Sequence, residues 1–221
     1  MRQSICMPAH PWKFYEKSVG LWAIDSNRSV YSFPLHTADA DIEGVAREYF
    51  HYFDVAMAAI RELFAPTAIH YPPGQPVAES PMPLDLNETK EKLLQVWKDD
   101  VKGCELWAPG ALILGLTSVS VRNGEGLASA ELPDLLRILF IATPQTDRYT
   151  LALVTNSDIW LDRTIGGGDN SGAGTANSAR LAKALGDLER ALDGKITHWN
   201  SEYEDVPVSE RGFSLPGLSA K

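Results

Sequence analysis

The sequence predicts an α+β fold: an antiparallel sheet of about five to seven strands, made of hairpins and a meander, with two long helices packed on it and a C-terminal helix. Three observations predict it. Helical and strand-like periodicities occupy separate stretches rather than alternating, which argues against a doubly wound parallel sheet. From Ala111 onward the apolar period shortens, and Asn123-Gly124 marks a tight hairpin within that stretch. The chain has 221 residues, of which 44% are hydrophobic, enough to bury a core without staples. One domain over 1–221 is expected.

The elements follow in order. Residues 20–33 read as a hairpin: Leu21, Trp22, Ala23 and Ile24 lead to a polar turn at 25–28, and Val30, Tyr31 and Phe33 return before Pro34. Residues 37–65 read as a helix capped by Thr37, with Asp39, Asp41 and Glu43 near its positive end and Pro66 at its close. Ile42, Ala46, Tyr49, Phe53, Ala56, Ile60 and Leu63 share one face, widened by Phe50, Met57 and Phe64. Such a stripe packs on a sheet or serves as an oligomer seam.

The five prolines between 71 and 83 suggest an extended, ordered surface loop. A second helix is expected over 87–102, capped by Asn87, with Leu93, Leu94, Trp97 and Val101 inward and Gly103 as its stop. Strands are expected over 112–122, 135–143 and 149–155, with 158–163 extending the sheet. An apolar parity shift between Leu116 and Val119 suggests a bulge near Thr117. The glycine-rich run 166–174 reads as a flexible surface connection. It leads into a helix over 175–192 that aligns Leu181, Leu185, Leu188 and Leu192. The tail from Lys195 is expected to pack across the domain.

Charge bounds the function. Asp and Glu number 29 against 20 Lys and Arg, a net −9, and the basic residues are scattered. Nucleic-acid and anionic-membrane binding draw on clustered cations, so neither is expected. No run approaches the roughly 20 apolar residues of a membrane span. Cys6 and Cys104 are too few for a disulfide framework, so a reducing, cytoplasmic setting is expected, with a single bridge between them left open.

No catalytic signature is legible. The glycine-rich run lacks the lysine of a phosphate-binding loop, has Asn177 where a dinucleotide fingerprint places glycine, and carries the repelling Asp169. Glu48-x-x-His51 is half of a di-iron ligand set with no second copy, and no histidine has metal-ligand spacing, so no metal and no cofactor are expected. Cys104 follows a helix C-terminus, where the dipole disfavours a thiolate.

The acids interleave with aromatics in two places. Trp199, Glu202, Tyr203, Glu204 and Asp205 form one segment; Asp158, Trp160 and Asp162 alternate along the other. Trp and Tyr anchor interfaces, and carboxylates around them suit a basic surface. The expected function is therefore a non-catalytic protein that binds and occludes a basic protein partner, most concretely a bacterial immunity or antitoxin protein inhibiting a toxin. A hydrolase with a spatially assembled site and an oligomeric or chaperone-like subunit joined through the aromatic helix face are the alternatives.

Overall fold

A computed structural model describes residues 16–27, 41–71, 75–100, 109–123, 126–143 and 148–214. The elements, in chain order, are β1 (Gly20–Ser26), α1 (Ile42–Ile60), β2 (Phe64–Tyr71), β3 (Gln75–Glu79), α2 (Leu86–Asp100), β4 (Gly110–Asn123), β5 (Gly126–Thr143), β6 (Arg148–Thr155), α3 (Ala173–Ala191), β7 (Gly194–Asn200), β8 (Val208–Ser209) and β9 (Gly212–Phe213). The expected α+β class holds. A 7-stranded sheet has the order β3-β2-β4-β5-β6-β1-β7, every ladder is antiparallel, and β8–β9 form a separate small hairpin.

The helices share the face of the sheet that carries Trp22, Ile24, Ile113, Ile138, Phe140, Leu151 and Leu153, all fully buried. The helix stripe read from the sequence packs there: Ala46, Tyr49, Phe53, Ala56 and Ile60 are buried against the sheet. It lies inside the core, so it is not an oligomer seam. Tyr49 is the centre of this layer. Its hydroxyl donates to the Phe140 carbonyl at 2.7 Å, and its ring meets Trp97 edge-on at 4.9 Å and Phe140 at 4.8 Å. Phe50 stacks on Trp97 at 5.3 Å, which joins α1 to α2. Aromatic pairs of this kind add about 0.5–1.5 kcal/mol beyond the area they bury. Burial pushes the Tyr49 hydroxyl far above the usual phenol range, so it stays a donor at every physiological pH.

Several boundaries differ from expectation. Helix α1 begins at Ile42 because Asp41, not Thr37, supplies the cap, accepting from the Gly44 amide at 2.9 Å. It ends at Ile60, and 61–63 turn the chain into β2, which holds Pro66 within a strand. The ladder with β4 shifts register between Pro66 and Ala68, the kind of irregularity that accommodates a residue without an N–H. Part of the proline-rich connector is a strand, since 75–79 forms the sheet's edge. Helix α2 is capped by Asp85, which accepts from the Asn87 amide at 2.9 Å, so Asn87 is the first turn rather than the cap.

Both edges of β1 are occupied, by β6 and β7, so its expected hairpin with 30–33 is replaced by long-range pairing. The tail first joins the sheet as β7 and then packs on the domain as expected, with Val206 and Phe213 buried. The expected bulge lies elsewhere. Register shifts between Leu114 and Leu116, where β5 inserts extra residues around Asp134, whose φ is 59°. Gly115 faces this bulge, and a Cβ there would lie 2.3 Å from the Ala65 carbonyl oxygen. The parity shift that suggested Thr117 arises because β4 is apolar on both faces: Leu112, Leu114 and Leu116 are half-buried on the face away from the helices. Residues 158–163 do not extend the sheet; Asp158–Trp160 is one 3-10 turn.

The return segment 30–33, Thr37, Cys6, Cys104, Lys102 and Gly103, Pro72, Pro73, Gly124, and residues 146–147 lie outside the described residues. No helix among the described residues is long and apolar enough to cross a membrane.

Tyr49→Phe keeps the ring packing and removes one hydrogen bond to the Phe140 carbonyl, which stays in the ladder with Ala111 of β4. Urea unfolding should show a loss of about 0.5–1.5 kcal/mol with an unchanged m-value. A loss below a few tenths would mean that the hydroxyl bond contributes nothing net.

Candidate functional site

Past β6 the chain turns a corner whose carbonyls have no sheet partner, and short polar side chains supply the missing bonds. Ser157 caps the 3-10 turn, accepting from the Ile159 amide at 3.3 Å, and the Trp160 indole donates to the Thr155 hydroxyl at 2.8 Å. The Asp158 carboxylate accepts from the Ile165 amide at 2.9 Å. The Asn170 amide donates to the Ile159 and Leu161 carbonyls at 3.1 and 2.9 Å. Asn177, on the first turns of α3, closes a two-point pair with Ser120: it accepts from the Ser120 N–H at 2.7 Å and donates to its carbonyl at 2.9 Å.

The glycine-rich run is accordingly a braced loop, not a flexible connection. Thr164 and Gly168 bond through backbone and hydroxyl, Gly167 donates to the Thr164 carbonyl at 2.8 Å, and Arg163 bridges to Asp169 as an isolated ladder step. Gly167 and Gly172 adopt φ of 84° and 81°, where a side chain would be strained. The helix start is not an open anion cradle, because the Gly174 amide donates to the Asn170 carbonyl and Ala176 to Gly172.

Between this loop and the tail lies a pocket of about 440 Å³ lined by Leu161, Asp162, Arg163, Asp169, Ser171, Asp205, Pro207 and Ser214. It brings together Asp162 and Asp205, which the sequence marked in separate segments. Asp162 accepts from the Thr175 hydroxyl at 2.7 Å through one oxygen. Asp169 pairs with Arg122 at 3.1 Å, and Arg122 also donates to the Ser171 carbonyl. Donation from the Ser171 hydroxyl and amide, followed by the charge of Arg122, holds the Asp169 carboxyl below its ordinary range, so it is ionised at neutral pH.

The other marked residues separate. Asp158 and Trp160 are fully buried, so they build the corner and present nothing to a partner, and their expected alternation on a strand face is absent. Trp199 is 42% exposed on β7, across from the buried Trp22. Glu202 accepts from the Ser18 hydroxyl at 2.7 Å and its amide donates to the Ser18 carbonyl, which ties the tail to the entry of β1. Tyr203 is half-buried against the core, while Glu204 and Asp205 are exposed. The tail then closes through β8–β9, where Phe213 packs edge-on against Trp22 at 5.2 Å. Arg163, Arg122 and Ser171 were not singled out in sequence. Arg163 and Ser171 adjoin or lie in the glycine-rich run, whereas Arg122, at the end of β4, reaches it only through the fold.

Of the histidines, His70 pairs with Glu79 at 3.0 Å beside the sheet edge, and His51 and His198 are exposed. Among the described residues no group of three His, Cys, Asp or Glu is placed to hold a metal ion. Comparison with protein-family models, curated proteins and solved structures finds no match.

Two outcomes follow from this geometry. Asn177→Ala leaves the Ser120 N–H and C=O and one bond to Ile159 unmade, and should lower stability by roughly 3 kcal/mol in chemical denaturation; Asn177→Asp, which sets a buried carboxylate oxygen against the Ser120 and Ile159 carbonyls, should cost at least as much at neutral pH. Bonding from Ser18 depresses the Glu202 carboxyl, so its contribution exists above the unfolded carboxyl range and is lost as pH falls through the folded one. Glu202→Gln should therefore flatten the acid limb of stability between about pH 3 and 6, measured by urea titration at each pH. An unchanged limb would show that the tie is not coupled to folding.

Proposed function

We propose that this protein acts by binding rather than by catalysis, covering a basic site on a protein partner in the manner of a cytoplasmic bacterial immunity or antitoxin protein. The observation that carries the reading is the pocket in which Asp162 and Asp205 converge. Asp169 is partnered by Arg122, and Asp162 keeps one carboxylate oxygen clear of its bond to Thr175. Asp205 is exposed at the rim, with Glu204 beside it in sequence and Glu210 further along the tail.

This arrangement suits a lysine or arginine side chain from a partner. A carboxylate already oriented by a hydroxyl loses little freedom on pairing, and a guanidinium can bridge two acceptors. Leu161 and Pro207 supply apolar wall for the aliphatic stem of such a side chain. Trp199 and the half-buried Tyr203 add aromatic area nearby in sequence, of the type that anchors interfaces. The net charge of −9 favours encounter with a cationic surface and makes the rate sensitive to salt.

The test is affinity capture from the native cell at low and moderate salt with wild-type protein and with Asp162→Asn/Asp205→Asn. A single stoichiometric basic partner held by the wild type, and released at least tenfold faster by the double variant, is the expected result. Capture of no partner, or equal retention by the variant, overturns it, and a metabolite screen for thermal stabilisation then tests a small-molecule site.

A further inference from the structure

The acidic pocket also contains a cation. Arg163 lines it together with Asp162 and Asp205. The isolated ladder step pins the Arg163 backbone opposite Asp169. The carboxylate across that step is already spent, since Asp169 pairs with Arg122 at 3.1 Å and accepts from the Ser171 amide at 3.0 Å. Among the described residues nothing takes its place: the exposed Arg163 guanidinium has no ion pair and no hydrogen bond. Asp205 is exposed and likewise without a side-chain partner among the described residues, and Asp162 gives only one oxygen to Thr175. Two carboxylates and one guanidinium of a single cavity therefore keep bonding capacity.

These three groups set the chemistry of the ligand. A lone ammonium or guanidinium is attracted by the two carboxylates and repelled by Arg163. A ligand with a carboxylate close to its own cation satisfies all three, because a guanidinium can hold a carboxylate through two parallel N–H bonds. At about 440 Å³ the cavity is in the range that holds a whole small ligand rather than the tip of one side chain. Backbone geometry then points to the source of that carboxylate. Neighbouring side chains of an extended segment point to opposite sides, so an acid next to a basic residue turns away from the pocket that the basic residue enters. The α-carboxylate of a chain's last residue belongs to the same residue as the cation and enters with it.

We propose that this pocket captures the end of a partner chain whose last residue is arginine or lysine, with the basic side chain on Asp162 and Asp205 and the terminal carboxylate on Arg163. The inference rests on the reading of the pocket as the cation site for a protein partner, and it adds which part of the partner enters.

Isothermal titration calorimetry of the full chain tests it, with acetyl-Gly-Ser-Gly-Arg as the free acid and as the C-terminal amide. The acid should bind at least tenfold more tightly than the amide. Arg163→Gln removes a side chain that makes no bond of its own, so it should bring the two peptides to within about twofold of each other and leave the unfolding midpoint unchanged. Free arginine sets an α-ammonium beside the carboxylate that Arg163 would hold, and should bind more weakly than the acid peptide. Tighter binding by free arginine makes the ligand a metabolite and overturns the chain end. Equal affinity for acid and amide, or an acid preference that survives Arg163→Gln, overturns the proposal while the cation site stands. Binding of neither peptide also overturns it: the cation site then stands only if a captured partner is still released by Asp162→Asn/Asp205→Asn, and both readings fall if it is not.

Discussion

The contact on which the rest of this structure depends is between the Tyr49 side chain and strand β5. One phenol hydrogen-bonds the Phe140 carbonyl and touches Trp97, Phe53, Phe140 and Tyr149, so it joins α1, α2, β5 and β6 at one point. A buried tyrosine is held in place by two different forces. Its ring is driven in by area, and its hydroxyl must find an acceptor, which fixes the rotation of the helix that carries it. Tyr149 beside it is treated otherwise: its buried hydroxyl has no hydrogen-bond partner among the described residues, and burial, with the Glu48 charge, pushes its pKa far upward. The layer thus contains one aromatic that locates and one that chiefly fills.

How much of this was legible in the sequence depends on the range of the force involved. The α1 and α3 stripes were legible because helical spacing repeats locally, and Leu181, Leu185, Leu188 and Leu192 are all buried as that spacing implies. The caps are not Thr37 and Asn87 but Asp41, four residues later, and Asp85, two residues earlier, because several acceptors lie close together. Strands β2 and β3 were hidden by prolines that sit at a register break and on an edge, where the missing N–H does little harm. The place of β1 between β6 and β7 has no local signal at all.

The candidate site divides in the same way. Asp162 and Asp205 were picked out from their neighbours, but their meeting depends on the 157–175 corner and on the β8–β9 return, neither of which follows from periodicity. Asp158 and Trp160 were misplaced because alternation of acid and aromatic over five residues mimics a strand, whereas Ser157, Thr155 and Asn170 stabilise a turn. A side-chain amide can stand in for a neighbouring strand, as Asn177 does for Ser120, and nothing in residue type distinguishes that use from an ordinary surface asparagine. The same braces give the pocket walls a fixed shape, which reduces the ordering that a bound side chain would impose.

The strand order has a consequence for how the protein is made. Trp22, near the start of the chain, lies in a strand flanked by Leu153 on one side and Trp199 on the other. On the ribosome the β4–β5–β6 meander can assemble as it emerges, but β1 lacks its second neighbour until residues 194–200 have been synthesised. Insertion of this first strand between two later ones is then the closing step of folding, and that waiting interval is when a chaperone would be needed.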